Sequence, residues 1–465
     1  MATPWAKITF FPAVWATTWQ AVAYLSPVGY LATWTPVAGI DAYDWLRPLA
    51  GTWGLNWVVG ASAVVGAEMV GAWFIGPEDG EPLLIDDIPT DVAPRKAEET
   101  ASRGSRHTLL LGAGLLALTA PSFLFPVHPI HPVESTFETS TPLIVGCILP
   151  PPPREGEHTT ALERFIDESK KHNGAKVLLW PEGALRFENP TQRDEAFELV
   201  RKRVVGPLVG VTYEEPIPGN AHGKWRTGLT LVGPQGPVAE YFKRNLVPIA
   251  ESFSLAPSLE PPSIYELKLS APKGRRLEWA PNTPDNTRDI PLTSSICLDF
   301  ATPSPFSALA TRPALVLAPA RTWHRDVGRA MWEQARARAE ELGSAVLFCD
   351  GGAGGLSGVA GHGAREPMQE GAGSWTRAIG VEWPVVQRRT PYAWGGDGAV
   401  LVAVWAILGV GSVGEAVVGG LLGRRGREGE GLTVVRRVRE AVSRLSGLVR
   451  SWRRPPQGEE QPLLF

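Results

Sequence analysis

Hydrophobic residues are distributed along this chain in two different ways. Near both ends they form long runs almost without charge, whereas the middle of the chain alternates short apolar runs with polar stretches. The long runs cover residues 8–40, 48–76, 108–126 and 398–423, and only Glu68 and Glu415 interrupt them. A helix that crosses the hydrocarbon core of a bilayer needs about 20 apolar residues. The pattern therefore predicts four membrane helices, with buried core helices as the alternative.

Lysine and arginine residues between these runs indicate how the helices are oriented. The predicted loop at residues 76–107 contains four basic residues, and residues 424–465 contain ten arginines. Basic segments stay on the cytosolic side, and four crossings place both segments on one side, so we predict a cytosolic loop and a cytosolic tail. Residues 81–106 are predicted to be disordered, and the tail fits either a helix on the membrane surface or a solvated helix. Residues 135–395 are then exoplasmic, either lumenal or periplasmic.

Residues 135–395 show the alternation that is typical of a folded α/β domain. Strand-like runs such as PLIVGCIL, KVLLW, SSICL and AVLFCD alternate with helix-like stretches such as ALERFIDESKKHNG and RAMWEQARARAEELG. Short strands alternating with helices predict a buried sheet covered by helices. The predicted order is a membrane region over residues 1–126, the α/β domain over 135–395, a last membrane helix over 398–423 and the basic tail over 424–465.

Composition narrows the classes of function. The 465 residues carry a net charge of -3, which gives no electrostatic reason to expect a nucleic-acid partner. The two histidines of HPIHP at residues 128–132 have no neighbouring cluster of zinc ligands, so we predict neither a metal site nor a cofactor. Cys147 and Cys349 fall in predicted strands, and we predict buried thiols there rather than a disulfide.

Three predicted strand ends carry reactive side chains. Glu182 follows KVLLWP, Lys243 lies in AEYFKRNLVPIAESF, and Cys297 lies in SSICLDF. Each has an ordinary explanation alone: a carboxylate favoured by a helix dipole, a surface lysine and a buried cysteine. Together they supply the groups of nucleophilic acyl transfer. The thiol needs a base, for which Glu182 is the candidate, and Lys243 is placed to stabilise negative charge on the attacked carbonyl oxygen.

The same stretches carry a resemblance to a known family. LLWPEGAL, YFKRNLVPIAE and SSICLDF resemble, in this order, the three catalytic blocks of the nitrilase (carbon-nitrogen hydrolase) superfamily. The lysine block resembles the apolipoprotein N-acyltransferase branch more than the soluble amidases. WLRPLAGTWGLNWVV, RARAEELG and TPYAWGGDGAVLV resemble further segments of that branch. The resemblance spans residues 45–422 and implies an α/β fold, a nitrilase-like α-β-β-α sandwich inserted between transmembrane helices.

The resemblance also implies roles for individual residues. Glu182 corresponds to the general base, Lys243 to the oxyanion stabiliser and Cys297 to the nucleophile. Glu251, at the end of the lysine block, corresponds to a second glutamate that supports the site. Trp323 occupies the position of a tryptophan near the pocket, and a plain core aromatic is the alternative.

The chain departs from the family pattern in three ways. Asp299 stands where the family usually has glutamate, which keeps the charge and shortens its reach. IAESFS replaces the usual F-G-E-Y beside the lysine, so we expect a differently shaped loop there. Family members have more helices before the catalytic domain than the three counted here, so we expect part of the floor that receives a lipid acyl chain to be absent.

The resemblance implies a membrane-bound N-acyltransferase. Such an enzyme moves an acyl group from a phospholipid, through a cysteine thioester, to an amine such as the N-terminus of a lipoprotein. A membrane-tethered amidase that acts on a small amide shares the same three groups and is the alternative. A non-catalytic membrane protein that retains the fold is a third interpretation.

Overall fold

A computed structural model gives the architecture of the chain. The described residues are 3–33, 40–75, 94–124, 139–153, 158–219, 223–271, 279, 286–361, 364 and 366–423. The α-helices within these ranges are α1 (Pro4–Leu25), α2 (Arg47–Ile75), α3 (Pro94–Ala117), α4 (Ala120–Leu124), α5 (Ala161–Lys171), α6 (Pro190–Arg203), α7 (Arg325–Leu342) and α8 (Pro391–Gly423). Short 3₁₀ helices cover Gly29–Ala32, Asp41–Leu46 and Cys297–Ala301.

The strands form two sheets. They are β1 (Ser140–Cys147), β2 (Val177–Leu179), β3 (Leu185–Arg186), β4 (Leu208–Pro216), β5 (Trp225–Gly233), β6 (Gly236–Phe242), β7 (Tyr265–Ser270), β8 (Thr287–Ser294), β9 (Leu315–Ala320), β10 (Ala345–Asp350), β11 (Leu356–Ala360), β12 (Gln369–Glu370) and β13 (Trp375–Glu382). One sheet has the order β13-β1-β2-β4-β5-β6, with β3 paired to β4, and the other has the order β12-β11-β10-β9-β8-β7. The neighbours β2 and β4 are parallel, as are β8 and β9. Their carboxyl ends therefore lie at a common edge of each sheet.

The two sheets pack face to face and helices cover their outer faces. Leu231 of the first sheet and Leu317 of the second belong to one buried core. Phe165 of α5 and Phe197 of α6 belong to a second core on the other face of the first sheet. Trp332 places α7 against the second sheet. Because both faces of the first sheet are covered, its central strands read as continuous apolar runs. The predicted α-β-β-α sandwich is confirmed.

The region around Cys297 differs from the prediction. SSICL was expected to be a strand, but β8 ends at Ser294 and Cys297 begins the 3₁₀ helix Cys297–Ala301. The carboxylate of Asp299 accepts a hydrogen bond of 3.2 Å from the backbone N–H of Ile296. This local side-chain bond favours a turn over a continued strand. We call residues 297–304 the cysteine turn.

The prediction that Cys147 and Cys349 are thiols is wrong. Cys147 of β1 and Cys349 of β10 form a disulfide with their Cα atoms 5.4 Å apart. Both are fully buried, as expected, but they are not thiols. The strands are 202 residues apart in sequence and lie in facing sheets, so spacing along the chain gave no sign of the pairing. The disulfide joins the two sheets directly.

The helices outside the sandwich form a separate cluster. Within the described ranges, Asp41–Phe74 and Pro391–Gly414 are long and apolar enough to cross a membrane, and only 22% and 17% of their most apolar windows are buried. The other two predicted runs form α1 and the α3–α4 segment. Pro94 begins α3, so residues 94–106 are helical rather than a disordered loop. Residues 76–93, HPIHP and the tail 424–465 lie outside the described residues.

Candidate active site

Glu182 follows strand β2, at the carboxyl edge of the first sheet. Gly183, the next residue, has a φ of +67°, which turns the chain sharply after the strand. The hydroxyl of Thr212 donates to the carbonyl of Pro181, which ties this turn to the neighbouring strand β4. The side chain of Glu182 is consequently held in the interior, with 7% of the residue exposed.

Lys243 directly follows strand β6, which runs parallel to β2 in the same sheet, so Lys243 and Glu182 lie at the same edge of that sheet. Its backbone N–H donates to the carbonyl of Thr227 at 2.9 Å, which extends the pairing of β5 and β6 by one residue. The ammonium group is buried and lies 2.7 Å from Glu182 Oε1 and 2.7 Å from Glu251 Oε1. One lysine is therefore shared by two carboxylates.

Cys297 completes this group from the opposite sheet. It is the free cysteine, is 4% exposed and has a φ of +45°. A non-glycine residue in this region is strained, and such strain persists only where the surroundings fix it. The thiol lies near the carboxylate of Glu182 and near the backbone N–H of Arg321 after β9. The first contact lowers the pKa of Glu182 and the second lowers the pKa of Cys297, each against the larger effect of burial. We call Glu182, Lys243, Glu251 and Cys297 the catalytic cluster, after the roles that the sequence predicts for them.

Burial sets the proton affinities within the catalytic cluster. Burial raises the pKa of Glu182 above the ordinary value of a glutamate; Lys243 opposes that shift and Glu251 adds to it. Burial and the charge of Glu182 also raise the pKa of the Cys297 thiol, so the resting thiol keeps its proton. Burial alone would lower the pKa of Lys243, but the negative charges of Glu182 and Glu251 raise it, so the lysine stays charged. The cluster thus contains a basic carboxylate, a protonated thiol near it and a cation bonded to the carboxylate.

Asp299 links the cysteine turn to the lysine block. Its Oδ1 accepts from the backbone N–H of Asn245 at 2.7 Å and from the amide side chain of that residue at 2.8 Å. Its Oδ2 accepts from the hydroxyl of Tyr241 at 2.7 Å. Asp299 therefore bonds to both side chains and backbone of the lysine block, although it is shorter than the glutamate usual in the family.

Tyr241 and Asn245 were missed in the sequence analysis. Strand periodicity carried a usable signal for Tyr241, because residues two apart in a strand point to the same face. Tyr241 lies two residues before Lys243 and so shares its direction. Asn245 lies in the loop after the strand, where the sequence has no such periodicity to indicate the direction of a side chain.

The structure places Glu251 beside Lys243 and leaves Trp323 exposed. Glu251 reaches Lys243 with one oxygen, while its other oxygen accepts from the backbone N–H of Val247 at 2.8 Å, which closes the loop formed by IAESFS. Trp323 is 60% exposed after β9, so the alternative of a plain core aromatic is wrong. Among the described residues, no group of three or more His, Cys, Asp or Glu side chains is arranged to hold a metal ion.

The structure brings Glu182, Lys243, Cys297 and Glu251 together, although they come from both sheets. A thiol near a basic carboxylate can become a nucleophile, and a fixed ammonium group beside it can stabilise an oxyanion. This arrangement suits attack on a carbonyl carbon that carries a leaving group. It does not by itself select the leaving group or the acceptor.

No family model matches the chain. The chain is similar to an apolipoprotein N-acyltransferase of Methylococcus capsulatus, with 24% identity over 415 residues, covering 81% of this chain and 71% of the relative. An amidase from Nesterenkonia sp. is 19% identical with a TM-score of 0.35, covering 52% of this chain and 90% of the amidase. Nit3 of Saccharomyces cerevisiae, a member of the nitrilase superfamily, is 16% identical with a TM-score of 0.39, covering 54% and 94%.

Proposed function

We propose that this chain, which resembles the apolipoprotein N-acyltransferase branch of the nitrilase superfamily over most of its length, is a membrane-bound N-acyltransferase. The observation that carries the proposal is the catalytic cluster, in which a thiol, a basic carboxylate and a buried ammonium group meet between the two sheets. Cys297 is the proposed nucleophile, Glu182 the base and Lys243 the oxyanion stabiliser. Glu251 holds Lys243 in place.

The first half-reaction forms a thioester. The Cys297 thiol gives its proton to Glu182 while sulfur attacks the ester carbonyl carbon of a phospholipid. Negative charge develops on the carbonyl oxygen, where the ammonium group of Lys243 stabilises it. The tetrahedral intermediate collapses by breaking the ester C–O bond, and the leaving alkoxide takes the proton from Glu182. A lysophospholipid departs and the acyl group remains on sulfur.

The second half-reaction transfers the acyl group to an amine, for which a lipoprotein N-terminus is the proposed acceptor. The neutral amine nitrogen attacks the thioester carbon and gives one proton to Glu182. The C–S bond breaks, and the thiolate recovers the proton from Glu182. The amide product leaves and the enzyme returns to its starting state. One carboxylate therefore serves as base and then as acid in both halves.

The helices outside the sandwich support a membrane location. Trp73 and Phe74 of α2 and Val402 of α8 are more than two-thirds exposed, and they lie in or beside the two candidate spans. Large exposed apolar surfaces of this kind are characteristic of contact with lipid or a partner. Among the described residues, two of the four predicted runs meet the length and hydropathy expected of a membrane span. The complete set of four membrane helices is therefore our proposal.

The disulfide supports an exoplasmic catalytic domain. Disulfides persist in oxidising compartments and are rare in the cytosol. Cys147 and Cys349 are the two cysteines that join the sheets, and both lie in the segment predicted to be exoplasmic. The basic residues at 76–107, which lie in the first half of α3, and those of the tail support the same orientation.

Mass spectrometry of the chain purified from membranes tests the function. We expect an adduct with the mass of a long acyl group on Cys297, and we expect Cys297→Ala to lack it. Glu182→Gln is the control for chemistry at an intact cysteine, and it should accumulate far less adduct. Hydrolysis of small amides without any long-chain adduct would instead support the amidase, and neither activity would support the non-catalytic interpretation.

A further inference from the structure

We infer that Arg338 and Asp397 are positioning residues that hold the cysteine turn against the helices outside the sandwich. The inference rests on the proposed role of Cys297 as nucleophile. Both residues lie in segments singled out by their sequence, RARAEELG and TPYAWGGDGAVLV, for which the acyl-transfer chemistry provides no use. Neither residue touches the catalytic cluster, so each acts through the cysteine turn.

Arg338 holds the turn from α7. The guanidinium is almost completely buried, and its Nη1 donates to the carbonyl of Thr302 at 3.3 Å. Thr302 caps the 3₁₀ helix Cys297–Ala301, and its hydroxyl donates to the carbonyl of Asp299 at 2.8 Å. Arg338 is therefore bonded to the backbone five residues after the nucleophile.

The other side of Arg338 connects to α2. Its Nη2 donates to Glu341 Oε1 at 2.6 Å and to the hydroxyl of Thr52 at 3.3 Å. The backbone N–H and the hydroxyl of Thr52 both donate to Glu341 Oε1, each at 3.1 Å. Thr52 follows a break in α2 at Gly51, whose φ is +58°, so Glu341 accepts a bond from the start of a new helical segment. Negative charge is favoured at such a helix start.

Asp397 holds the turn from α8. Its Oδ2 accepts from the hydroxyl of Ser304 at 3.0 Å, and Ser304 is the last residue of the cysteine turn. The hydroxyl of Tyr392 donates to Oδ1 at 2.7 Å, and the hydroxyl of Tyr24 in α1 donates to Oδ2. Asp397 follows a second break, at Gly396 with a φ of +64°. We call Thr52, Arg338, Glu341, Asp397 and Ser304 the junction cluster.

The loop after α1 closes on the same turn. Gly29 has a φ of +56°, and a Cβ atom added there would lie 2.1 Å from the carbonyl oxygen of Ala301. The cysteine turn is thus contacted by α7 and α8 and by the loop after α1. A buried charged network is a costly way to join two elements when apolar side chains of similar size are often as stable or better. Such a network adds directional hydrogen bonds that apolar side chains cannot make. These bonds fix the turn around Cys297, and its strained φ of +45° persists only while that turn is fixed.

The pH profile of Cys297 alkylation tests the inference. Because Cys147 and Cys349 are paired, iodoacetamide should report on Cys297 in the folded full-length chain in nanodiscs. We expect Asp397→Asn, Ser304→Ala and Arg338→Met to slow alkylation by about tenfold or more and to shift its pH midpoint, since small displacements of a reacting group have large effects. Arg338→Lys should recover only part of the rate, because it cannot make two bonds through a planar fork.

A matched control separates positioning from loss of packing. Trp405 Nε1 of α8 donates to the hydroxyl of Thr17 in α1 at 3.1 Å, a bond between the same two helices that does not reach the cysteine turn. Tyr24→Phe removes the α1 bond to Asp397, whereas Thr17→Val removes the Trp405 bond. We expect the alkylation profile to change with Tyr24→Phe and to stay at the wild-type profile with Thr17→Val.

Three outcomes would overturn the inference. The first is an unchanged profile in Asp397→Asn and Ser304→Ala, and the second is an equal change in Thr17→Val. If Asp397→Asn and Arg338→Met fail to fold, Ser304→Ala and Tyr24→Phe replace them as tests, because each removes only one hydroxyl. A wild-type alkylation profile in both of these variants is the third outcome. The assay contains no acyl donor, so a missing acyl adduct in the wild type would count against the proposed function and leave this result standing.

Discussion

Two buried groups of charged residues can be compared in this molecule, the catalytic cluster and the junction cluster. In the catalytic cluster the Glu182 carboxylate accepts a hydrogen bond from a shared ammonium group and lies near a thiol. In the junction cluster Glu341 accepts from the guanidinium of Arg338 and from two donors of Thr52, and Asp397 accepts from three hydroxyls. Burial is common to both clusters. The two clusters differ in the neighbours of their carboxylates, since only Glu182 lies near a thiol, whose deprotonated form is a strong nucleophile.

The largest expected difference between the clusters is in the effect of neutralising one carboxylate. Glu182→Gln should lower the rate of Cys297 acylation by about 10²–10⁴-fold, the usual contribution of a general base. Glu341→Gln keeps an acceptor for Thr52 and should lower the rate much less. Single-turnover acylation by a labelled phospholipid measures both. Equal losses in the two variants would contradict the assignment of the base.

Removal of the cation gives the next largest effect. Lys243→Met should lower acylation by about 10²–10³-fold, as for loss of one oxyanion donor. It also leaves the buried Glu182 and the partly exposed Glu251 without their shared cation, which should reduce the free energy of unfolding by about 3–5 kcal/mol. Arg338→Met leaves Glu341 with its Thr52 donors, so its cost in stability should be smaller. Chemical denaturation of both variants checks this order.

The pH dependence of acylation gives a smaller effect in the wild type. Burial raises the pKa of Glu182, so its carboxylate becomes protonated at a higher pH than an ordinary glutamate when the pH is lowered. A protonated Glu182 cannot accept the thiol proton, and the rate should fall about tenfold per pH unit below a midpoint above 4.5. A pre-steady-state profile measures the midpoint, and Glu182→Gln should lack this acid limb. A midpoint at or below 4.5 would argue against a buried base.

The smallest expected effect on chemistry comes from the disulfide. The double variant Cys147→Ala/Cys349→Ala should lower the free energy of unfolding by about 2–5 kcal/mol, the usual cost of losing a native disulfide. Acylation below the unfolding temperature should stay within about threefold of the wild type, because the bonds of the catalytic cluster do not include either cysteine. Thermal unfolding and acylation measured on one preparation separate stability from catalysis. A large loss of rate at full folding would show that the sheet spacing also sets the catalytic geometry.

The sequence allowed much of the fold to be predicted, because strand and helix periodicities are local. The runs KVLLW and AVLFCD form strands, and RAMWEQARARAEELG forms most of α7. The strand expected at SSICL was wrong because a single side chain, Asp299, bonds to the backbone of Ile296 and starts a turn. Local hydrophobicity alone does not reveal such a bond.

Long-range pairings were the part that could not be predicted. The Cys147–Cys349 disulfide depends on which strands of two sheets face each other, and periodicity does not encode that. The structure brings the proposed triad together, and the roles of its members stay predictions. The junction cluster was not predicted at all, since Arg338 and Asp397 acquire partners only when α7 and α8 fold back toward the cysteine turn.

The breaks at Gly51 and Gly396 have a further consequence for the proposed membrane location. Beyond the breaks, the candidate spans run from 52 to 74 and from 397 to 414. At roughly 1.5 Å per residue these lengths are about 35 and 27 Å, on either side of the hydrocarbon thickness of about 30 Å. Both breaks then lie at the level where lipid meets water, close to the residues that hold the cysteine turn. The rate of the proposed reaction should therefore depend on bilayer thickness, because the thickness sets the depth of a donor's ester carbonyl relative to Cys297.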